Sequence, residues 1–126
     1  MWPFPDSRPL WVRGEAAAAR HLRWRGFRIL AHNARFGHNE VDIIARDGDT
    51  TVFVEVRTRV SADPMPPEDS ITYPKRRHLR AAARSYLSRQ PLDPDQYFRF
   101  DVVGVVMPEH GKPEIAHYPD AFRMDE

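Results

Sequence analysis

Residues 40–59, EVDIIARDGDTTVFVEVRTR, decide the fold of this chain. Their pattern predicts two apolar strands joined by a tight Asp-Gly turn, with Asp42 interrupting the first strand and Glu55 the second. Burying a lone carboxylate in a sheet costs several kcal/mol, roughly, unless a partner, a proton or a metal compensates. The two acids on neighbouring strands therefore mark a candidate site.

The side of the sheet on which these acids lie depends on the turn. The Asp47-Gly48 pair is typical of a two-residue type I′ turn, which places Asp42 opposite Phe53. A four-residue loop instead moves Asp42 opposite Glu55, and only a three-residue loop would separate the acids unless a bulge restores the phase. Since side chains alternate with period two, one face is predicted to carry Glu40, Asp42, Phe53, Glu55 and Arg57. The other face, Val41, Ile43, Ala45, Val52, Val54 and Val56, is wholly apolar, so we predict that one face is core and the other is a site.

The rest of the chain supplies two helices and three further strands. Residues 1–10 are predicted to be a loose lead-in, and residues 11–126 a single domain. The predicted elements are a helix over 11–25 ended by Gly26, a strand over 27–31, an irregular turn over 32–39, the hairpin, a mobile proline-rich loop over 60–72, a helix from about Pro74, strands over 97–107 and 113–118, and a helical turn in the tail that packs Phe122. The order α-β-β-β-α-β-β predicts an α/β fold, a central mixed five-stranded sheet flanked by helices.

Composition excludes several classes of protein. The 126 residues are 41% hydrophobic and 29% charged, with no apolar run approaching the ~18 residues of a membrane span. The N-terminus lacks the pattern of a secretory signal, and the absence of cysteine excludes disulfides and thiolate metal sites. We therefore expect a cytoplasmic protein that does not engage a membrane. The net charge is only +1. Of the 19 basic residues 17 are Arg, and this preference has two explanations: arginine favours bidentate contacts with phosphate, or the source organism has a codon bias.

Both predicted helices carry residues that bear on the site. Glu15 lies on the apolar stripe of the first helix, where it is either a third acid of the site or a first-turn acid that favours the helix dipole. The second helix carries a basic set that we predict to bind nucleic acid, with a solvated basic face as the alternative: Lys75, Arg76, Arg77, Arg80 and Arg84.

Three acids that converge on the hairpin face would provide oxygen ligands for a hard divalent cation. Mg²⁺ fits such a site because it keeps several waters and needs only one or two carboxylates plus substrate phosphate. Such a site generates a hydroxide nucleophile and offsets the charge that develops on a phosphodiester. A cation two residues beyond Glu55, at Arg57, would orient the attacking water or stabilise the phosphate.

An acid in the first helix, an Asp on one strand and Glu-x-Lys on the next resemble the pattern of the PD-(D/E)xK nuclease superfamily. Within it, the chain resembles the YraN-type family of endonuclease-like proteins from Gly14 onward. The matching residues are Gly14-Glu15, Gly26-Phe27, Asn33, residues 40–45, residues 53–59, Lys75, residues 99–103 and Ala121-Phe122. The resemblance implies a restriction-endonuclease-like core and cleavage of DNA phosphodiesters with Mg²⁺ (or Mn²⁺). It further implies a likeness to archaeal Holliday-junction resolvases, which act as dimers on branched DNA.

The resemblance also assigns roles to individual residues. It implies that Asp42 and Glu55 are metal ligands together with the Val56 carbonyl, and that Glu15 holds a metal-bound water. Arg57 departs from the pattern, because arginine stays protonated and cannot act as a base. Lys75 is the candidate to replace the missing lysine. The alternatives are a catalytically weak or inactive nucleic-acid-binding module that retains the nuclease fold, and a protein-interaction domain.

The remaining candidates are expected to be structural. Trp11 and Trp24 are assigned to core packing in preference to stacking on bases. Asp101 is expected to pair with Arg99 or with a neighbouring backbone group. The histidines are expected at the surface or in turns, since His32, His38, His110 and His117 show no ligand spacing.

Overall fold

The computed structural model describes residues 6–60, 71–91, 96–108 and 111–124. Its elements are α1 (Leu10–Trp24), β1 (Arg28–Phe36), β2 (Asn39–Asp47), β3 (Thr50–Arg59), α2 (Tyr73–Ser88), β4 (Tyr97–Val106) and β5 (Glu114–Phe122). The strands form one sheet in the order β1-β2-β3-β4-β5. Strands β3 and β4 are parallel, and the other neighbouring pairs are antiparallel. The predicted α/β fold with a mixed five-stranded sheet is confirmed.

The two helices cover opposite faces of the sheet. This is seen in β3, where successive residues pack in two different hydrophobic cores. Val52 and Val54 pack in the cluster that contains Ala18 and Leu22 of α1. Phe53, between them, packs in the cluster that contains residues of α2. The prediction that one face of the hairpin is core and the other is a site is therefore wrong. Both faces are core along most of the hairpin, and a site can form only where that packing ends.

The hairpin turn lies one residue later than predicted. Asp47 pairs with Thr50 and Ala45 with Val52, so the two loop residues are Gly48 and Asp49. Gly48 has φ of 62°, and glycine at the first loop position suits a type II′ turn. This pairing stops at Ile43–Val54, so it does not extend to Asp42 and Glu55; the two acids lie together through a hydrogen bond between their side chains.

Two strands are longer than predicted. β1 continues to Phe36 because a bulge between Ile29 and Ala31, with a left-handed Asn33 (φ 48°), keeps it paired to β2 where an irregular turn was expected. β5 continues to Phe122, which pairs with Phe100, so the tail is a strand and not the predicted helical turn. Phe122 is buried, as expected.

Some expectations concern segments that the structure does not describe. Most of the proline-rich loop (61–70), the start of the lead-in (1–5) and His110 lie outside the described residues. α1 begins at Leu10, and α2 begins after Thr72, whose hydroxyl accepts a hydrogen bond from the Lys75 amide at 3.3 Å. No helix in the described ranges is long and apolar enough to cross a membrane.

Asp101 is fully buried in β4, and its partners agree with the structural role expected for it. Its carboxylate accepts hydrogen bonds from Arg99 Nε at 2.9 Å and from the Asp120 amide at 3.0 Å, and lies 2.8 Å from His117 Nε2. Burial alone would raise the pKa of Asp101, but these hydrogen bonds hold it below its usual value. The surface position expected for His117 is wrong, because its side chain is only 5% exposed.

The close approach of α1 to β3 is set by Gly14. A methyl group at this position would overlap the side chain of Thr58, including its Cβ, so rotation of the Thr58 side chain cannot relieve the clash. Gly14 thereby fixes how near Glu15, the next residue, can come to the sheet.

We expect Gly14→Ala to lower the melting temperature by several degrees. In an open helix position this change would stabilise by about 1 kcal/mol, whereas overpacking costs ~1–3 kcal/mol. The measurement is thermal unfolding by circular dichroism, with Gly14→Ala/Thr58→Gly as the matched variant in which the clash is removed. A melting temperature that rises in the single variant would contradict the close contact.

Candidate active site

The site forms where β2 and β3 part. Their ladder ends at the pair Ile43–Val54. Beyond it β2 stays paired to β1, while β3 stays paired to β4. The amide of Val56 faces the gap and donates a hydrogen bond to Asp42 Oδ2 at 2.8 Å. Val41, assigned to the apolar face with Val54, instead packs in the α2 cluster.

The gap opens into a cavity of about 630 Å³. α1 contributes one acid to its wall, β1 a cation, β2 and β3 together three acids and a cation, and α2 a lysine. The structure thus brings together all the residues predicted for catalysis and metal binding: Glu15, Asp42, Glu55, Val56, Arg57 and Lys75. Glu15 is the sixth residue of α1, beyond its first turn, so the helix-dipole interpretation of this acid is wrong.

Two glutamates in the cavity are nearly inaccessible to solvent, with Glu55 2% and Glu15 8% exposed. Burial raises the pKa of Glu55 to about 8, and the charge of Asp42 and a hydrogen bond with it add to the rise, while Lys75 opposes it. Burial and the Asp42 charge likewise raise the pKa of Glu15 to about 7, against a hydrogen bond with Asn33. Asp42 thus links the two glutamates, and burial together with its charge disfavours the ionised form of both.

Two cations border the acids. Lys75, in the first turn of α2, places Nζ 3.1 Å from Glu55 Oε1, so it belongs to the acidic site and is not an isolated surface lysine. Arg57 follows Glu55 by two residues and lines the same cavity, as predicted. Its Nε is shielded from solvent and has no hydrogen-bond partner among the described residues.

The basic face predicted on α2 is smaller than expected. Arg80 is only 4% exposed, and its Nε donates to the Arg123 carbonyl at 2.8 Å while the guanidinium lies over the Phe122 ring. Its assignment to nucleic-acid binding is therefore wrong, because its charged group is held inside the fold. Arg77 and Arg84 are exposed and Arg76 is partly buried.

Asn33 and Trp11 line the cavity, although neither was predicted to belong to the site. Asn33 lines the wall and bonds to Glu15, and its left-handed backbone is one that asparagine tolerates better than most residues. Trp11 also lines the wall and is 56% exposed. Core packing was predicted for Trp11 and for Trp24, which is 81% exposed, and both predictions are wrong. A tryptophan one helical turn before an inward-facing acid was the available signal.

The donor set fits a small hard cation that brings its own water. No three His, Cys, Asp or Glu side chains in the described part of the chain are grouped so that they could hold a metal ion by themselves. Asp42, Glu55 and Val56 all line the cavity, and Mg²⁺ held there would complete its shell with water and phosphate.

We expect the stability of the protein to fall as pH rises between about 4.5 and about 8, the usual and raised pKa of Glu55. In this window the folded chain keeps a proton that the unfolded chain has released, so each such carboxyl lowers the free energy of unfolding by up to about 1.4 kcal/mol per pH unit. Urea unfolding across this range should show a shallower loss for Glu55→Gln than for wild type. Exposed Asp49→Asn is the control, and equal slopes for all three proteins would contradict the raised pKa.

The family model described as "Uncharacterised protein family UPF0102" matches residues 14–105, which include every residue of the site from Glu15 to Lys75. A UPF0102 protein of Geotalea uraniireducens is 44% identical over 94% of this chain and 93% of its own length. One from Nocardia farcinica is 42% identical over 93% and 91%. One from Anaeromyxobacter dehalogenans is 45% identical over 89% and 82%. The YraN-type resemblance is thereby confirmed, and the chain belongs to the uncharacterised protein family UPF0102.

Proposed function

We propose that this protein is a metal-dependent nuclease that hydrolyses DNA phosphodiester bonds, with branched or damaged DNA as its substrate. One observation carries the proposal: Asp42 joins two buried glutamates, Glu15 and Glu55, in an open cavity beside Lys75. Buried acids with strongly raised pKa in a cleft are typical of functional sites. If these three positions served only to pack the core, apolar side chains would occupy them.

The metal in this proposal is Mg²⁺ or Mn²⁺, held by Asp42, Glu55 and the Val56 carbonyl. When bound, it would supply an activated water and offset charge on the phosphate. Asp42 is oriented by the Val56 amide, which donates a hydrogen bond to its Oδ2 at 2.8 Å.

The chain's own residues divide the remaining tasks. Arg57 stays charged at any working pH, so it can bind phosphate but cannot accept a proton. Lys75 carries an amine beside Glu55, where the superfamily pattern has its lysine on the strand. Glu15, with its raised pKa, can hold or release a proton near neutral pH, which suits an acid that positions water.

We expect wild-type protein to cut plasmid or four-way-junction DNA in Mg²⁺ or Mn²⁺, and to lose cutting in EDTA. Asp42→Asn should reduce the rate at least about 100-fold, because it removes a carboxylate that would hold the cation by which phosphate charge is offset. The measurement is gel-resolved cleavage of labelled DNA at matched protein concentration.

Asp49→Asn is the matched control for that assay, since it removes an exposed acid from the same hairpin outside the cavity. It should cut at the wild-type rate. No cutting by wild type on any of these substrates, or equal cutting by Asp42→Asn, would overturn the nuclease proposal. Light scattering of the same preparations tests the dimer that the resemblance implies.

A second candidate function is DNA binding without turnover. Arg57 favours it, because arginine replaces the lysine of the superfamily pattern. Arg77 and Arg84, exposed on α2, would supply phosphate contacts for such a module. Binding that persists in EDTA, with no cutting under any condition, would favour this function over catalysis.

We expect Arg77→Ala and Arg84→Ala to weaken DNA binding and to lower the slope of log affinity against log salt by about one each, because each removes one phosphate contact. Arg80→Ala is the contrasting variant. Its guanidinium is held by Arg123 and Phe122, so its main effect should be on the melting temperature. Fluorescence anisotropy across a salt series measures the slopes, and unchanged slopes for both exposed arginines would remove α2 from the interface.

A further inference from the structure

Trp11 is an exposed aromatic side chain on the wall of the acidic cavity. It is 56% exposed and lines that cavity together with Glu15, Asp42 and Glu55. Exposure alone is common, because single apolar side chains at a protein surface need no explanation. Trp24 on the same helix is such a case, since it lies outside this cavity. The position of Trp11 is what sets it apart.

The helix fixes the spacing between the indole and the acids. Trp11 and Glu15 are four residues apart in α1, so they lie on one face with Cβ atoms roughly 5–6 Å apart. Helical side chains lean toward the N-terminus, so the Glu15 side chain leans over the turn that carries Trp11. A ligand bound at the acids therefore lies within reach of the aromatic ring.

The cavity wall thus presents two kinds of recognition. At one end are the acids with Lys75 and Arg57, which suit a phosphate and its cation. Beside them, one turn earlier on α1, is the partly exposed ring of Trp11. A nucleotide carries both matching groups, a phosphate and a base, within one unit.

We propose that the indole of Trp11 stacks on the base next to a phosphate bound by Lys75 and Arg57, so that the site selects single-stranded DNA, or DNA whose base at this position is unpaired. This inference rests on the proposed function. A base inside a continuous duplex has both faces covered by its neighbours and cannot offer one to the ring. Base–aromatic stacking tolerates any sequence, because every base has a π-face. Trp11 is a positioning residue in this account and selects for DNA structure, not sequence.

The test compares a single strand with a blunt duplex of the same sequence. Binding is measured by fluorescence anisotropy in EDTA, where no strand is cut, for wild type, Trp11→Ala, Trp11→Phe and Trp24→Ala. We expect Trp11→Ala to lose about 5- to 100-fold in affinity for the single strand, the range that stacking of one base supplies, and less than about twofold for the duplex. Trp11→Phe should recover most of the loss, and Trp24→Ala should keep the wild-type ratio.

The same four proteins are then assayed for cutting in Mg²⁺. The ratio of kcat/KM for single strand to that for duplex should fall in Trp11→Ala and be retained in Trp24→Ala. Equal losses for both substrates, or none for either, overturn the stacking inference even if the protein cuts DNA. Trp11-dependent binding of the single strand without cutting by wild type leaves the inference standing and overturns the nuclease proposal.

Discussion

The hydrogen bond from the Val56 amide to Asp42 Oδ2, 2.8 Å long, is the contact on which the site depends. A backbone N–H inside a sheet must have an acceptor, because leaving it unpaired costs about as much as a lost hydrogen bond. Where β2 leaves β3, the ladder can no longer supply that acceptor. The Asp42 carboxylate replaces the missing carbonyl, so the strands can separate without an unpaired donor, and the gap that results becomes the cavity.

The Asp42 carboxylate also makes the cavity unfavourable for the ionised forms of Glu15 and Glu55. Glu15 and Glu55 are buried, and the charge of Asp42 adds to the cost of ionising them, so both have a pKa raised toward neutrality. The fold tolerates this because the two cores on either side of the sheet are built from ordinary apolar side chains. The destabilising residues are confined to one end of the sheet, which is the usual distribution when a site conflicts with stability.

The helices, the strands and the convergence of the three acids could be predicted from sequence, because each follows from the regular spacing of side chains along a helix or a strand. Strand parity places Asp42 and Glu55 on one side for two- and four-residue loops alike, and the helical stripe places Glu15 inward. The turn shifted by one residue because Gly48 can begin the loop as readily as end it. No period in the sequence encodes the parting of β2 from β3, so Val41 was assigned to the wrong core.

Long polar side chains were the other source of error, since their heads lie far from the backbone position that a pattern describes. Arg80 falls opposite the apolar stripe of α2, yet its guanidinium reaches a carbonyl near the C-terminus and is buried. Trp11 fits an amphipathic helix as a core residue, yet the cavity leaves it exposed. In both cases the predicted burial of the residue was wrong.

The superfamily pattern that the sequence resembles has a lysine on β3, where this chain has Arg57. The position of Lys75 beside Glu55 changes how this difference is interpreted. Arg57 extends from the strand and Lys75 from the start of α2, and both border the same acids. A single lysine on the strand would have to bind phosphate and also hold the exchangeable proton. Here the guanidinium lies on the strand and the amine on the helix, which Thr72 caps through the Lys75 amide. In the proposed nuclease the exchange therefore moves the lysine to a second element, where its Nζ lies 3.1 Å from Glu55.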